Sequence, residues 1–122
     1  METVKRNVSV WVAVDGGMAD NLRPMLYGAP YEAQVVDRLG DDTTCRVTGK
    51  HCESGDVLID DARLADPRPG DVIATPVTGA YTHAMANTYN GVPRPPVIVC
   101  RDGDARVVVR RETHDDLLAR DV

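Results

Sequence analysis

Midway along the chain, Gly49-Lys50-His51-Cys52-Glu53-Ser54-Gly55-Asp56 sets a thiol beside a carboxylate and brackets the pair with glycines. Buried cysteine usually serves as a small apolar filler. A Cys-Glu pair between glycines reads instead as a loop tip that presents both side chains. Metal binding is one chemistry to weigh, because His51 adjoins Cys52 and Cys45 lies seven residues earlier. The chain has no C-x-x-C or H-x-x-x-H pair, and neighbouring residues on a strand point to opposite faces, so the spacing does not match a structural zinc site and no metal is expected. A cysteine nucleophile needs a base aimed at it, and nothing local orients any of the three histidines toward Cys52. An ordinary thiol, with a pKa of about 8.5, is also acidic enough to donate a proton. That role requires a carbanion-generating cofactor nearby. An inert thiol stays open as well, since reactivity depends on surroundings the sequence does not give.

Two further groups of residues carry possible chemistry. Arg23 and Tyr27 stand four apart in "RPMLYG". A guanidinium recognises a carboxylate through two parallel hydrogen bonds, and a phenol adds a third. The alternative is a surface arginine and a core tyrosine. Tyr81 follows Gly79 and Ala80, residues small enough to let a ligand or another backbone approach. The alternative there is a core tyrosine at a helix entrance.

The elements that must position these residues are short. The chain has 122 residues, the size of one domain, and lacks Phe entirely, so its core must rest on Val, Leu, Ile and Ala. Val8, Val10, Val12 and Val14 alternate with Ser9, Trp11 and Ala13, which predicts a strand ending at Asp15-Gly16-Gly17. Pro24 restricts "MADNLRPMLYG" to a loop with about one helical turn. Further strands are predicted at Tyr31–Arg38, Thr43–Thr48, Asp56–Asp61, Asp71–Pro76, Pro96–Arg101 and Ala105–Arg111. Turn chemistry divides them at Gly40-Asp41-Asp42, Pro67-Arg68-Pro69-Gly70 and Asp102-Gly103-Asp104. The spacing predicts an all-β fold, a Greek-key-like barrel or sandwich of about six to eight strands with one or two short helices. Those helices are expected over "GAYTHAMANTYNG", near helical spacing, and over "HDDLLARDV", with Thr113 as cap and Asp115 and Asp116 in the first turn.

Composition removes several functions. A net charge of −5 argues against nucleic acid and against anionic lipid surfaces, both of which call for clustered Lys and Arg. "METVKRNVSV" lacks the apolar run of a signal peptide, and no apolar run approaches membrane-spanning length. Three irregularly spaced cysteines do not make a disulfide framework. The expectation is a reduced, soluble, cytoplasmic protein.

Four blocks in order then carry a resemblance: "VAVDGGMADNLRPMLYGAPYEA", "GKHCESGDVLIDDARL", "PGDVIATPVTGAYTHAMANTYNG" and "RRETHDDLL". Together they resemble the C-terminal β domain of the diaminopimelate decarboxylase family. These are pyridoxal-phosphate enzymes that join an alanine-racemase-like barrel to a β domain. The resemblance runs from about Val4 to Val122 and implies a single C-terminal β domain over residues 1–122, with the N-terminal TIM-like barrel absent. It implies pyridoxal 5'-phosphate as cofactor, meso-diaminopimelate as substrate, and conversion of that substrate to L-lysine and carbon dioxide.

By position, the resemblance makes Cys52 the proton donor. Arg23, Tyr27, Glu53 and Tyr81 become substrate contacts, and Tyr81 also lies near the cofactor. In the family the Cys-Glu loop reaches the neighbouring subunit's site, which implies a homodimer. The charges agree with that implication. The far end of diaminopimelate is a zwitterion, which calls for a cation such as Arg23 and an anion such as Glu53. In ornithine-type relatives the residue after the cysteine is typically Asp, and the distal group is only an amine.

The imine-forming lysine belongs to the missing barrel, and neither Lys5 nor Lys50 lies in a matching segment. Pro93 and Pro96 in "NGVPRPPVIV" also flank the family's usual "RP", a local departure. The chain alone is therefore expected to be inactive, to expose an apolar docking face and to self-associate. The rival readings are a β domain of another basic-amino-acid decarboxylase and a free-standing binding or regulatory domain.

Overall fold

In a computed structural model, residues 9–122 are described. Val8 and Lys5 of the sequence reading lie outside them. The element order begins β1 (Trp11–Ala13), α1 (Arg23–Tyr27), β2 (Gln34–Val35), β3 (Thr43–Thr48) and β4 (Val57–Leu64). It continues with β5 (Ile73–Ala74), α2 (Thr82–Met85), a 3-10 turn at Tyr89–Gly91, β6 (Val97–Arg101), β7 (Asp104–Val109) and α3 (His114–Leu118).

Three ladders hold the strands. β1 runs parallel to β3, and β3 is antiparallel to β4; β2 pairs with β5, and β6 pairs with β7. The fold is therefore sheet-rich with a few short helices, as predicted. A closed barrel does not form among the described residues, because no strand links the three ladders. Strand signals in a sequence are local, whereas closure requires edges to meet over long separations.

The core lies where the three-stranded sheet meets β2 and β5. Val35, Cys45, Val47, Ile59, Ala62 and Leu64 are buried, with Val12, Val14, Tyr31, Ala33, Leu58 and Ile73 packed against them. The period-2 alternation of β1 holds, since Val12 and Val14 turn inward while Trp11 and Ala13 face out. On the outer face, the Arg46 guanidinium lies 4.8 Å over the Trp11 ring and pairs with Asp60. β4 runs on to Leu64, past the acidic Asp60-Asp61 expected to end it, because Ala62, Arg63 and Leu64 pair with Cys45, Thr44 and Thr43 of β3 and Ala62 and Leu64 are buried. Burial holds the Cys45 thiol above its ordinary acidity range, so this cysteine is filler. Leu64 is fully buried, and Leu64→Ala is expected to lower unfolding free energy by about 2–5 kcal/mol through lost burial and a residual cavity. Urea unfolding of the two proteins measures it.

Local turn chemistry appears where it was read. Asp102 (φ 53°) and Gly103 (φ 85°) form a two-residue hairpin turn whose twist matches the flanking strands. Gly28, at φ 63°, ends α1 and donates its N–H to the Pro24 carbonyl at 2.9 Å. Thr113 caps α3 in a reciprocal box with Asp116, and bidentate bonds from Arg110 hold that carboxyl far below its usual range.

The helix expected over residues 79–91 is broken. Ala86 is extended. Asn87 is drawn away, its N–H donating to the Ala19 carbonyl at 2.9 Å while its side-chain oxygen accepts the Tyr89 N–H at 3.0 Å. Such a side chain offers the backbone an alternative to the helical ladder. The strand expected at Tyr31–Arg38 is reduced to Gln34–Val35, because only two residues of β5 are available to pair with it.

Candidate functional site

Arg23 opens α1, where Pro24 fits the first turn because its missing N–H has no intrahelical partner there in any case. The helix is preceded by a tight turn in which the N–H groups of Asp20 and Asn21 both donate to the Gly17 carbonyl, at 2.9 and 3.0 Å. Asn21 is buried, and its side-chain oxygen accepts the Arg23 N–H at 3.4 Å. Arg23 is thereby aimed. Its guanidinium lies 5.4 Å from the Tyr81 ring centroid, and its Nη1 donates to the Tyr31 hydroxyl at 3.3 Å. Tyr27, one turn on, is 65% exposed.

Tyr81 precedes α2 with φ 68° and ψ −29°, left-handed backbone that a bulky residue rarely adopts. Val77, four residues earlier, is also left-handed at φ 60°. Strain of this kind persists only where surrounding structure enforces it. At Tyr81 it leaves the ring 68% exposed with one face against Arg23.

Cys52 and Glu53 sit at the tip of the loop between β3 and β4, and both are exposed. The tip is stiffened from within: the Glu53 N–H donates to the His51 carbonyl at 2.7 Å, and the Asp56 N–H donates to the Glu53 carbonyl at 3.1 Å. The Glu53 carboxylate accepts the Gly55 N–H at 3.2 Å. Among the described residues, no recorded hydrogen bond or ion pair joins Cys52 or Glu53 to Arg23, Tyr27 or Tyr81. The structure thus gathers four of the five residues singled out in the sequence into two groups, Arg23 with Tyr81 and Cys52 with Glu53, and leaves Tyr27 exposed outside both.

The roots of those groups meet. The Asp56 and His51 side chains are 1% and 0% exposed, with His51 Nδ1 2.8 Å from Asp56 Oδ2. The Tyr89 ring stacks on His51 at 5.9 Å. The sequence offered His51 as a metal ligand or as one of three possible bases for Cys52, and Asp56 only as the start of a strand. The signal for more was Asp56 itself, an acidic residue placed at a loop–strand junction beside an apolar run. Among the described residues no group of three or more His, Cys, Asp or Glu is placed to hold a metal, and none of their helices is long and apolar enough to cross a membrane. Close by, burial raises the Asp20 carboxyl above its ordinary range, with the Lys50 ammonium pulling it back down.

Comparison with known proteins gives one consistent direction. The family model for "Pyridoxal-dependent decarboxylase, C-terminal sheet domain" matches residues 2–79, a span that includes Arg23, Tyr27, Cys52 and Glu53 and stops short of Tyr81. A diaminopimelate decarboxylase of Actinosynnema pretiosum subsp. auranticum is 59% identical over 121 residues, covering 98% of this chain and 28% of that protein. The structure of a diaminopimelate decarboxylase from M. jannaschii in co-complex with L-lysine matches with a TM-score of 0.89 and 34% identity, over 97% of this chain and 27% of that one. A lysine/ornithine decarboxylase from Vibrio vulnificus complexed with cadaverine matches with a TM-score of 0.62 and 25% identity, over 77% of this chain and 26% of that one. The chain therefore spans little more than a quarter of the length of these proteins.

Proposed function

This chain belongs to the pyridoxal-dependent decarboxylases as their C-terminal sheet domain, and on that premise we propose that it is the substrate-recognising part of an enzyme converting meso-diaminopimelate to L-lysine and carbon dioxide. The observation that carries the choice of substrate is the contrast just described: diaminopimelate decarboxylases match nearly the whole chain at higher identity and TM-score than the lysine/ornithine enzyme. In this reading residues 1–122 form one β domain. An N-terminal barrel supplies the amine that binds the cofactor, and two copies of the complete enzyme pair in the cytoplasm. The Cys52–Glu53 tip of one copy then reaches the site of the other.

Exposed surface supports a partner domain. Ile98, Val99, Val107, Val108 and Val109 of the β6–β7 hairpin are all exposed. In the complete polypeptide the three ladders become parts of one Greek-key barrel or sandwich once the remaining chain packs against them.

The residues fit a cofactor wall rather than a cofactor cradle. Tyr81 offers an exposed phenol on a strained backbone, suited to contact the edge of a bound ring. The Lys50 ammonium acts on the Asp20 carboxyl from a loop whose backbone is tied to Gly16, and in this reading the imine-forming lysine is supplied by the barrel instead. When bound, pyridoxal phosphate supplies the electron sink for the departing carboxylate. This chain's residues do the rest of what is assigned here. The Cys52 Sγ–H delivers a proton to the substrate carbon that has lost its carboxylate. Arg23 and Tyr27 bind the distal carboxylate, and Glu53 binds the distal ammonium. A thiol and a carboxylate side by side on one tip thus serve opposite ends of one substrate.

Incubated alone with pyridoxal phosphate and meso-diaminopimelate, the chain is expected to release no lysine; joined to the barrel of its complete polypeptide, it is expected to release lysine and carbon dioxide. Enzyme-like turnover by the chain alone, or a joined enzyme that decarboxylates ornithine in preference, contradicts the proposal.

A further inference from the structure

We propose that Asp56 and His51 are positioning residues, a buried carboxylate–imidazole pair that fixes the Cys52–Glu53 tip relative to the segments carrying Arg23 and Tyr81. The inference rests on the reading above, in which Arg23 and Tyr81 of one copy meet the Cys52–Glu53 tip of the other, so a tip that shifts on its own domain is misplaced in its partner's site.

The tip's own bonds are local and hold its shape, not its place. Its place is set at the root. The Asp56 carboxylate accepts the Met18 N–H at 2.7 Å on Oδ1. On Oδ2 it accepts the His51 N–H at 2.9 Å and faces the His51 ring Nδ1 at 2.8 Å. One carboxylate thus ties the start of the loop to the turn that leads into α1. Hydrogen bonds to an ionised acceptor are the stronger kind, and a buried donor stripped of its acceptor is costly. Neither group has solvent to fall back on. The Lys50 N–H adds a second tie, to the Gly16 carbonyl at 3.1 Å.

Glycines make room for this contact. A Cβ on Gly17 would lie 2.5 Å from His51 Nδ1 and 2.7 Å from Asp56 Oδ2, and a Cβ on Gly49 would lie 2.1 Å from Asp56 Oδ2. Neither position tolerates a side chain without displacing the pair. The glycine that opens the Cys-Glu loop is therefore there for the carboxylate beneath it.

The third segment meets the same point. Tyr89 stacks on the imidazole, and Asn87 donates through its N–H to the Ala19 carbonyl and through its side chain to the Met18 carbonyl. The stretch that begins at Tyr81 is thereby fastened to the Gly17–Asn21 turn, whose far end aims Arg23. Displacing Asp56 therefore disturbs both the thiol tip that this copy lends to its partner's site and the segments carrying the guanidinium and phenol of its own. With Nδ1–H directed at Asp56, His51 Nε2 is buried without a partner among the described residues. The Nδ1 edge is the working one.

The geometry predicts an asymmetric pair of substitutions. Asparagine at position 51 keeps a donor where Nδ1 was, whereas glutamine carries its amide to the Nε2 position. In the complete decarboxylase, per cofactor-loaded site, Asp56→Asn and His51→Gln are expected to lower kcat/KM for meso-diaminopimelate by about a hundredfold, the scale of an ångström's misplacement, with KM raised as well as kcat lowered. His51→Asn is expected to stay near wild type. Amide hydrogen exchange supplies a readout that needs no activity: Met18 and His51 amides are expected to be protected in the wild type and in His51→Asn, and to exchange faster in Asp56→Asn.

Wild-type KM and kcat in Asp56→Asn, equal damage from His51→Asn and His51→Gln, or unchanged amide protection in Asp56→Asn each overturn the proposal. If Asp56→Asn does not fold, the two His51 variants decide it. A wild-type enzyme that ignores diaminopimelate while the exchange pattern holds sinks the functional reading and leaves the clamp supported.

Discussion

Cys52→Ala in the complete enzyme is expected to lower kcat for lysine formation by about 10²–10⁴-fold, the range for a positioned general acid, while KM for diaminopimelate changes little. The reason is where the sulfur acts. In the proposed assignment Cys52 serves the reacting carbon, not the distal end of the substrate, so its loss removes an interaction made in the transition state and leaves ground-state binding intact. Cys52→Ser is expected to recover little, since a hydroxyl is a far weaker acid than a thiol. Cys45→Ala tests the contrast between the cysteines: that thiol is buried in the core and its loss is expected to cost stability, not kcat. Steady-state kinetics of the three variants separate these outcomes. A Cys52→Ala enzyme with wild-type kcat removes the thiol from the reaction.

The second large effect concerns the distal zwitterion. Glu53→Gln keeps shape and removes charge, and hydrogen bonds to charged groups contribute about 1.5–3 kcal/mol; kcat/KM for diaminopimelate is expected to fall by roughly 10- to 150-fold on that basis. Arg23→Lys is expected to be nearly as harmful, because an ammonium reproduces neither the flat two-point grip on a carboxylate nor the stacking on Tyr81. The two substitutions differ in selectivity. A substrate whose distal end is only an amine presents nothing for Arg23 to bind, so Arg23→Lys is expected to narrow the preference for diaminopimelate over lysine or ornithine. Glu53→Gln is expected to weaken both. Measuring kcat/KM for each substrate checks it, and an unchanged preference in Arg23→Lys removes that residue from distal recognition.

Legibility followed the range of the forces involved. β3 lies at Thr43–Thr48, as predicted between the turn signals that bound it, and the Asp102-Gly103 turn and the Thr113 cap follow from chemistry within four residues of sequence. What failed was set by distant groups. β4 runs on past Asp60-Asp61 because Ala62 to Leu64 find partners in the start of β3, about twenty residues back. The helix after Tyr81 breaks because Asn87 bonds to residues 68 and 69 positions away. Barrel closure is likewise a matter of edges meeting, and no local pattern encodes it.

The site shows the same division. The candidate residues could be named from the sequence, chiefly through the family resemblance. Periodicity and spacing did not foretell that Arg23 stacks on Tyr81, and the buried pair beneath the Cys-Glu tip was not anticipated. A loop tip advertises its chemistry through exposed polar residues, whereas the group that holds it still is a single buried side chain with an unremarkable neighbourhood in sequence.

The central claim is that this domain supplies an acidic sulfur and opposite charges to a pocket whose cofactor amine lies on another part of the polypeptide. A crystal structure of the complete enzyme with pyridoxal phosphate and L-lysine bound tests it most directly. The expected result places Cys52 Sγ and the Tyr81 ring against the cofactor and the Glu53 carboxylate on the distal ammonium of lysine, with the Cys52–Glu53 tip and Arg23 contributed by different subunits. A structure in which Arg23, Cys52, Glu53 and Tyr81 lie apart from the bound cofactor contradicts it.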